Sequence, residues 1–202
     1  MVYTDLHYFG SLSYYEGIVT TDQLVFDTTS PFSKMSFKNR MVITTAQGPL
    51  HLSIPIVGGR DQKTPMNDIQ IANDSPWKAQ HFKSICTNYK RAPFFDYYEA
   101  SLNELYKKDY KMLNDFLLAT QQFIQLQLKG KWEILANLDA TITDEIVKWN
   151  DPFKPNNFQT YTGLIHYQQV FDTTTNFIPN ACILDLLFAV GGKQAMSMLT
   201  SK

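Results

Sequence analysis

Residues 2–27, VYTDLHYFGSLSYYEGIVTTDQLVFD, decide the fold. β-Branched and aromatic residues dominate Val2–Phe9, a composition typical of a strand. A short helix is predicted from Gly10 to Thr20, and a second strand over Gln23–Asp27. As parallel neighbours, the two strands form a right-handed crossover whose helix packs on the sheet. Three large side chains are expected to face the sheet: Tyr14, Tyr15 and Ile18.

A β-hairpin is predicted after this unit. Its arms are Ser36–Thr45 and Pro49–Val57, and Gly48 between them can adopt the positive φ that a short turn needs. Apolar residues alternate along the second arm, so His51 is expected to point outward. Pro55 has no amide hydrogen to donate, which indicates an edge strand.

Loops and helices fill the middle of the chain. A polar loop, Gly58–Pro65, precedes a short strand marked by Ile69 and Ile71. Three amphipathic helices follow, the first beginning at Ser75-Pro76. Their apolar faces carry Trp77, His81, Ile85 and Tyr89, then Phe94, Tyr98, Leu102 and Leu105, then Leu113, Phe116, Leu117 and Ile124.

The C-terminal part is predicted to contain a strand, a loop and a buried helix. Trp132–Leu138 alternates as a strand, and residues 150–160 form a loop that borders a site. Asn180 is expected to cap the last helix, and Gly191-Gly192 to end it. These elements predict an α/β protein: one domain over residues 1–202, with a mixed sheet, a β-hairpin and a layer of amphipathic helices.

The composition excludes several classes of protein. With 44% hydrophobic and 18% charged residues, the chain can bury enough apolar surface to fold. Its formal net charge of -1 gives no reason to expect a nucleic-acid partner. The N-terminus lacks the features of a signal peptide, and no apolar run is long enough for stable membrane insertion. Cys86 and Cys182 form no disulfide framework, so a cytoplasmic protein is predicted, with a single bridge between them left open.

Familiar cofactor and metal motifs do not occur in the sequence. It has no GxGxxG, no Walker lysine loop, no GxSxG elbow and no HExxH, so no cofactor is predicted. The four histidines are never three or four residues apart, so no metal site is predicted either.

A basic stretch beside the hairpin is a candidate anion site. Strand alternation places Lys38 and Arg40 on one face, where they can hold a phosphate or carboxylate. The competing interpretation is a solvated basic strand, because charges on sheet faces are usually exposed.

Two residues are candidates for moving a proton. His81 lies on the apolar face of a predicted helix, as either a general base or a hydrogen-bonded core residue. Asp185 is the only charge between 181 and 190, and a buried carboxylate must be paired or functional. Its expected structural partners are Arg40, Arg91 or a backbone amide.

The order and spacing of several short motifs resemble the WbqC-like family. The matching pieces are Tyr8-Phe9, Phe37-Lys38-Asn39-Arg40, Ser53-Ile54-Pro55, Lys63-Thr64, Pro76-Trp77 with His81, Tyr89 with Pro93-Phe94-Phe95, Tyr167 with Gln169-Val170-Phe171, and Phe177-Ile178-Pro179-Asn180 with Leu184-Asp185-Leu186-Leu187-Phe188. The chain departs from the family pattern at Gly10, at Trp149-Asn150 and at Ala189-Val190-Gly191.

The resemblance implies a role in making O-antigen or capsule, through a nucleotide-linked or lipid-linked sugar precursor. It leaves open the reaction, whether the protein is an enzyme, and the oligomeric state. With Lys38 and Arg40, the residues expected to bind the sugar ligand are Asn39, Lys63, Tyr89, Tyr167, Gln169 and Asn180.

The alternative is a non-catalytic subunit that binds carbohydrate or a partner. Its contact surface would be the aromatic cluster of Tyr89, Phe94, Tyr97 and Tyr98. An enzyme should gather Arg40, His81, Asn180 and Asp185 around one pocket, whereas a binding subunit would scatter them.

Overall fold

A parallel four-stranded sheet organises the protein, whose computed structural model describes residues 1–135, 145–163 and 165–201. Its strands are β1 (Val2–Asp5), β2 (Gln23–Asp27), β5 (Glu133–Leu135) and β6 (Val147–Lys148). They lie in the order β5-β2-β1-β6, and each neighbouring pair is parallel.

The predicted strand–helix–strand unit is confirmed. Helix α1 (Leu12–Ile18) connects β1 to β2, and Val2 lies opposite Leu24 in the parallel register. The three side chains expected to face the sheet, Tyr14, Tyr15 and Ile18, are buried. Strand β1 ends at Asp5 rather than at Phe9, because the backbone turns toward α1 and Phe9 adopts a φ of 42°.

The predicted hairpin is also confirmed, as a second sheet. Strands β3 (Arg40–Thr45) and β4 (Gly48–Ser53) pair antiparallel, and Gly48 has the expected positive φ, 102°. The hairpin arms are shorter than the sequence predicts. No strand is formed at Ile69 and Ile71, where a 3₁₀ turn (Met66–Asp68) precedes two isolated bridges, from Gln70 to Met112 and from Ile71 to Ile56.

Three helices form the predicted helical layer: α2 (Trp77–Tyr89), α3 (Phe95–Lys107) and α4 (Leu113–Leu128). Two more follow the second half of the sheet, α5 (Asp172–Thr175) and α6 (Ile183–Thr200). The apolar faces of α1, α2, α3, α4 and α6 share one hydrophobic core with the sheet. The α/β class is therefore confirmed, with its parallel and antiparallel strands divided between two sheets.

The C-terminal part differs from the prediction in three places. Asn180 does not cap α6, because its Oδ1 accepts a hydrogen bond from the amide of Ser13 instead. Gly191-Gly192 do not end α6, which kinks at Gly191 and continues to Thr200. The predicted strand Trp132–Leu138 is formed over Glu133–Leu135, and its residues 136–138 lie outside the described residues.

Two sequence-based expectations concern the environment of the protein. Among the described residues, none of the helices is both long and apolar enough to cross a membrane. Cys86 and Cys182 are both free thiols, so the bridge that the sequence left open is not formed.

Candidate functional site

The direction in which strands are added to the sheet reverses at β1. Strand β1 leads to β2 and then outward to β5, whereas β6 lies on the other side of β1. In open parallel sheets such a switch point leaves a crevice outside the carboxyl ends of the strands, where ligands bind. The residues that follow β1 and β6 are therefore candidates for a ligand site.

Seven polar residues meet at this place, and we call them the switch-point cluster. They come from the β1–α1 segment, the residues before β3, the loop after β6 and the residues before α6. The members are Asp5, His7, Ser11, Ser13, Lys38, Asp151 and Asn180. All are buried except Asp5 and Asp151, which are half-buried.

Asp151 holds the cluster together. Its carboxylate accepts hydrogen bonds from the hydroxyls of Ser11 at 2.8 Å and Ser13 at 3.0 Å. The amide of Phe153 donates a third at 3.1 Å. Asn180 joins through its Oδ1, which accepts from the amide of Ser13 at 2.8 Å. Asp151 therefore ties the loop after β6 to the first turn of α1.

Lys38 carries the positive charge of the cluster. Its Nζ lies 3.0 Å from Asp5 Oδ1, and its side chain is 4% exposed. Asp5 neutralises this charge, and the carboxylate of Asp151 then leaves the cluster with one net negative charge. That balance favours a ligand with hydroxyl or amino groups there over a phosphate.

His7 is a buried, neutral member of the cluster. Its ring stacks on Tyr14 with 4.2 Å between centroids. Burial lowers the pKa of His7 to about 4, with Asp151 acting to raise it and Lys38 to lower it. The imidazole is therefore uncharged at neutral pH, and can both accept and donate a hydrogen bond.

Unpartnered buried atoms concentrate around the cluster. Among the described residues, His7 Nδ1, Asn180 Nδ2 and Trp149 Nε1 are buried and have no hydrogen-bond partner. Each such atom costs about 1–3 kcal/mol of desolvation, so native proteins rarely keep them without a functional reason. A ligand that hydrogen-bonds to these atoms would recover that free energy.

Aromatic side chains border the cluster. Trp149 follows β6 and is half-buried against Gly17 in α1. Phe153 and Tyr161 pack edge to face at 5.5 Å, and the Tyr161 hydroxyl donates to Glu16 in α1. Hydroxyl and carboxylate groups beside aromatic faces suit a sugar ring, which has polar edges and apolar faces.

Comparison with known proteins gives the family. The sequence profile of the WbqC-like protein family matches residues 7–150, which begin at His7 and end one residue before Asp151. The chain belongs to the WbqC-like protein family. It is also 25% identical to an uncharacterised protein of Mycobacterium tuberculosis over 219 aligned positions, which cover 89% of each chain. No solved structure matches the chain.

Asp185, a predicted catalytic residue of this WbqC-like protein, lies in a separate buried network. Its carboxylate accepts four hydrogen bonds from neutral donors: Thr44 Oγ1 at 2.6 Å, Tyr89 OH at 2.8 Å, Tyr167 OH at 2.6 Å and Gln169 Nε2 at 2.8 Å. Within the described part of the chain, its expected partners Arg40, Arg91 and a backbone amide do not pair with it. Burial raises the pKa of Asp185, although these hydrogen bonds act to lower it. Its acceptor sites are filled, as a structural role requires.

His81 lies in the core rather than at the cluster. Its Nδ1 is 2.9 Å from the hydroxyl of Tyr8, which also bonds to Tyr106. Burial lowers the pKa of His81 to about 4, with the Ser53 carbonyl acting to raise it. This environment matches the core interpretation of His81, in which its imidazole satisfies a buried tyrosine.

The predicted basic face is not formed. Lys38 precedes β3 and turns inward to Asp5, whereas Arg40 begins β3 and donates to Ser53 Oγ at 2.8 Å. The side-chain Nδ2 of Asn39 donates to the Ile54 carbonyl and fixes the hairpin base. Lys63 is exposed on the loop that follows the hairpin. Of the predicted ligand-binding residues, Lys38 and Asn180 alone belong to the switch-point cluster.

The four residues expected around one enzyme pocket, Arg40, His81, Asn180 and Asp185, occupy four separate hydrogen-bond networks.

The aromatic residues expected to form one contact surface lie in two different places. Tyr89 is buried beside Asp185, while Phe94, Tyr97 and Tyr98 line a groove of about 730 Å³ at the kink of α6. Tyr97 is 78% exposed there.

Sequence reasoning missed five members of the cluster: Asp5, His7, Ser11, Ser13 and Asp151. Polar residues directly after an N-terminal strand are a usable signal, because the carboxyl ends of parallel strands carry ligand sites. Asp151 carries no such signal, since β6 is two residues long and its position beside β1 is set by distant pairing.

Proposed function

We propose that this WbqC-like protein binds the sugar of a nucleotide-linked or lipid-linked precursor of a surface polysaccharide, O-antigen or capsule, at its switch-point cluster. The observation that carries the proposal is that two buried atoms of the cluster, His7 Nδ1 and Asn180 Nδ2, have no hydrogen-bond partner among the described residues. Family membership supports the connection to polysaccharide production. The protein works in the cytoplasm, where its two thiols stay reduced.

The chemistry of the cluster supports a sugar in particular. Asp151, Ser11 and Ser13 offer acceptors and donors at the spacing of neighbouring hydroxyls, 2.8 to 3.0 Å from one another. Trp149, two residues before Asp151 and packed against Gly17 of α1, offers an apolar face for the sugar ring. The phosphate part of the precursor lies outside the cluster, because the cluster carries a net negative charge that repels it.

If the protein is an enzyme, the group placed to move a proton is His7 rather than His81. The His7 imidazole is neutral at pH 7 and its Nδ1 is free of other partners among the described residues. If the protein is a binding subunit, the same cluster holds the sugar unchanged. Nuclear magnetic resonance of the bound sugar distinguishes the two, since only an enzyme converts it.

The binding proposal is tested with Ser13→Ala. This variant removes one donor to Asp151, which keeps Ser11 and the amide of Phe153 as partners. Thermal shifts are measured against a panel of nucleotide-linked sugars and polyprenyl-diphosphate-linked sugars. A ligand at a hundred times its dissociation constant stabilises the parent by about 2.7 kcal/mol. We expect Ser13→Ala to bind it about five- to tenfold more weakly, since one hydrogen bond is lost.

The matched control is Ser84→Ala, which removes a hydroxyl bonded within helix α2. It should respond to every ligand as the parent does. The proposal is wrong if no sugar in the panel stabilises the parent, or if Ser13→Ala and Ser84→Ala respond equally.

A second candidate function rests on the exposed aromatic groove. Phe94 and Tyr97, 41% and 78% exposed, could stack on a polysaccharide chain, as a non-catalytic carbohydrate-binding subunit requires. In that case Tyr97→Ala removes binding of an oligosaccharide fragment. If the switch-point cluster is the site, Tyr97→Ala leaves the thermal shift unchanged.

A further inference from the structure

A cavity of about 490 Å³ opens beside the switch-point cluster, at the carboxyl ends of β2 and β5. We call it the edge cavity. Leu6 lines it and directly precedes His7 of the cluster, so the two sites share the segment of chain that leaves β1. Its volume falls within the range of small-molecule sites.

The walls of the edge cavity combine apolar surface with carboxamides. Leu6, Phe26 and Leu118 provide apolar surface, and Asn67, Asn114 and Gln122 provide amides. A carboxamide presents one donor edge and one acceptor edge, which match the edge of a nucleobase. Apolar side chains cover the faces of such a ring. A lipid chain has no groups that could hydrogen-bond to these three amides.

Asn114 supplies an unfilled acceptor at this place. Its Oδ1 is buried and has no hydrogen-bond partner among the described residues. Asp115 is the charged residue in the lining, so the cavity itself does not suit a phosphate. A neutral ring with N–H donors fits both Asn114 and Asp115. It would donate a hydrogen bond to Asn114 Oδ1, and it would bring no negative charge close to Asp115.

The loop that supplies Asn67 to the edge cavity also carries a cation, Lys63, four residues earlier in the sequence. The amide of Asn67 donates to the Thr28 carbonyl at 2.8 Å, and the amide of Phe32 donates to the Thr64 carbonyl at 2.8 Å. These bonds join the loop that carries Lys63 to the residues that follow β2. Lys63 is exposed and belongs to none of the ion pairs among the described residues. Its ammonium group is therefore available to a phosphate outside the cavity.

We infer that the edge cavity binds the nucleobase of a nucleotide-linked sugar, with Lys63 on its diphosphate and the sugar at the switch-point cluster. This inference rests on the proposed function and selects the nucleotide-linked precursor over the lipid-linked one. It assigns a site to residues outside the cluster, above all Asn114 and Leu118.

Calorimetric titration with adenosine, cytidine, guanosine, thymidine and uridine tests the cavity without phosphate or sugar. One of the five should bind the parent. Leu118→Trp places an indole in the cavity and should remove that binding, whereas Leu126→Trp, on the exposed side of the same helix, should not.

Asn114→Ala gives a second readout. It should weaken nucleoside binding about fivefold or more, the loss of one hydrogen bond. The same change should leave the melting temperature of the free protein equal or higher, because the lost oxygen has no partner there. An amide with a structural role would instead lower that temperature.

Lys63→Ala should weaken binding of the matching nucleoside diphosphate about tenfold, the loss of a charge-assisted contact, and leave the nucleoside unaffected. Exposed Lys83 provides the control variant, Lys83→Ala.

The inference is wrong if none of the five nucleosides binds, or if Leu118→Trp binds the nucleoside as the parent does. Ser13→Ala separates the two proposals: it should weaken the nucleotide-linked sugar alone, and if it leaves that ligand unaffected while the nucleoside still binds, the cluster proposal fails and the cavity remains.

Discussion

Asp185 is a carboxylate in the core of the protein, and none of the described residues pairs a cation with it. Three phenolic or hydroxyl groups and one amide donate to it, from Thr44 at the end of the hairpin to Gln169 near the C-terminus. A buried charge of this kind orients its donors, and its removal leaves them unpaired together.

Asp185→Ala is therefore expected to destabilise the protein strongly. Four donors lose their acceptor, and breaking one partner of a buried charged network costs about 3–5 kcal/mol. Urea unfolding measures the loss. Asp172→Ala, at the start of the short helix α5, is the control and should change the free energy of unfolding by less than about 0.5 kcal/mol. A stable Asp185→Ala variant that has lost only ligand turnover would restore the catalytic interpretation.

The need for a partner at Asp185 was predictable, but the partners were not. An isolated charge in an apolar helix must be satisfied, and this follows from the sequence alone. The donors come from β3, α2 and the loop before α5, and no local pattern brings these segments together. The same limit applies to His7 and Asp151, which are 144 residues apart and meet only through the tertiary fold.

At the scale of elements, local periodicity was a good guide. The first strand–helix–strand unit, the hairpin and helices α2 to α4 are all formed, with β1 and the hairpin strands shorter than predicted. Each of these elements has a continuous apolar face and turn residues at its ends. Strand β6 was not predicted, since two residues carry no periodic signal. It pairs with β1 and thereby creates the switch point.

Helix α6 does not end at Gly191-Gly192, where the sequence predicts its end, and the structure shows why. Gly191 adopts φ 76° and ψ 161°, a conformation that only glycine reaches easily, and breaks the helix locally. The amide of Gly192 then donates to Tyr98 OH at 2.8 Å, and the chain resumes its helix. A tertiary contact replaces the missing helical bond, so the glycines produce a kink.

Gly192→Ala tests the close contact at this kink. A Cβ at residue 192 would lie 1.9 Å from the carbonyl oxygen of Gln127 in α4, so the two helices must separate. Overpacking of this kind costs about 1–3 kcal/mol. Lys193→Ala, at the neighbouring exposed position, is the control for helix propensity. Equal free energies of unfolding for Gly192→Ala and the parent would show that α4 and α6 are not in firm contact here.

For the whole molecule, buried titratable groups connect stability to pH. Burial lowers the pKa of both His7 and His81 to about 4, whereas burial raises the pKa of Asp185. Between pH 6.5 and 4 the unfolded chain therefore binds protons on two histidines that the folded protein keeps neutral. Stability falls as the pH falls through this window. Asp185 acts in the opposite direction, because its folded form takes up a proton at a higher pH than its unfolded form.

The double variant His7→Gln/His81→Gln should flatten this pH dependence. Each histidine contributes about 2–3 kcal/mol to the difference in free energy of unfolding between pH 7.5 and 4.5, from a pKa difference between 6.5 and about 4. Urea unfolding at the two pH values measures it for the parent, the double variant and the control His166→Gln, whose ring is exposed. The parent and the control should lose the same stability on acidification, and the double variant about 4–6 kcal/mol less, from the two histidines together. An unchanged slope in the double variant would mean that burial does not hold either imidazole neutral between pH 6.5 and 4.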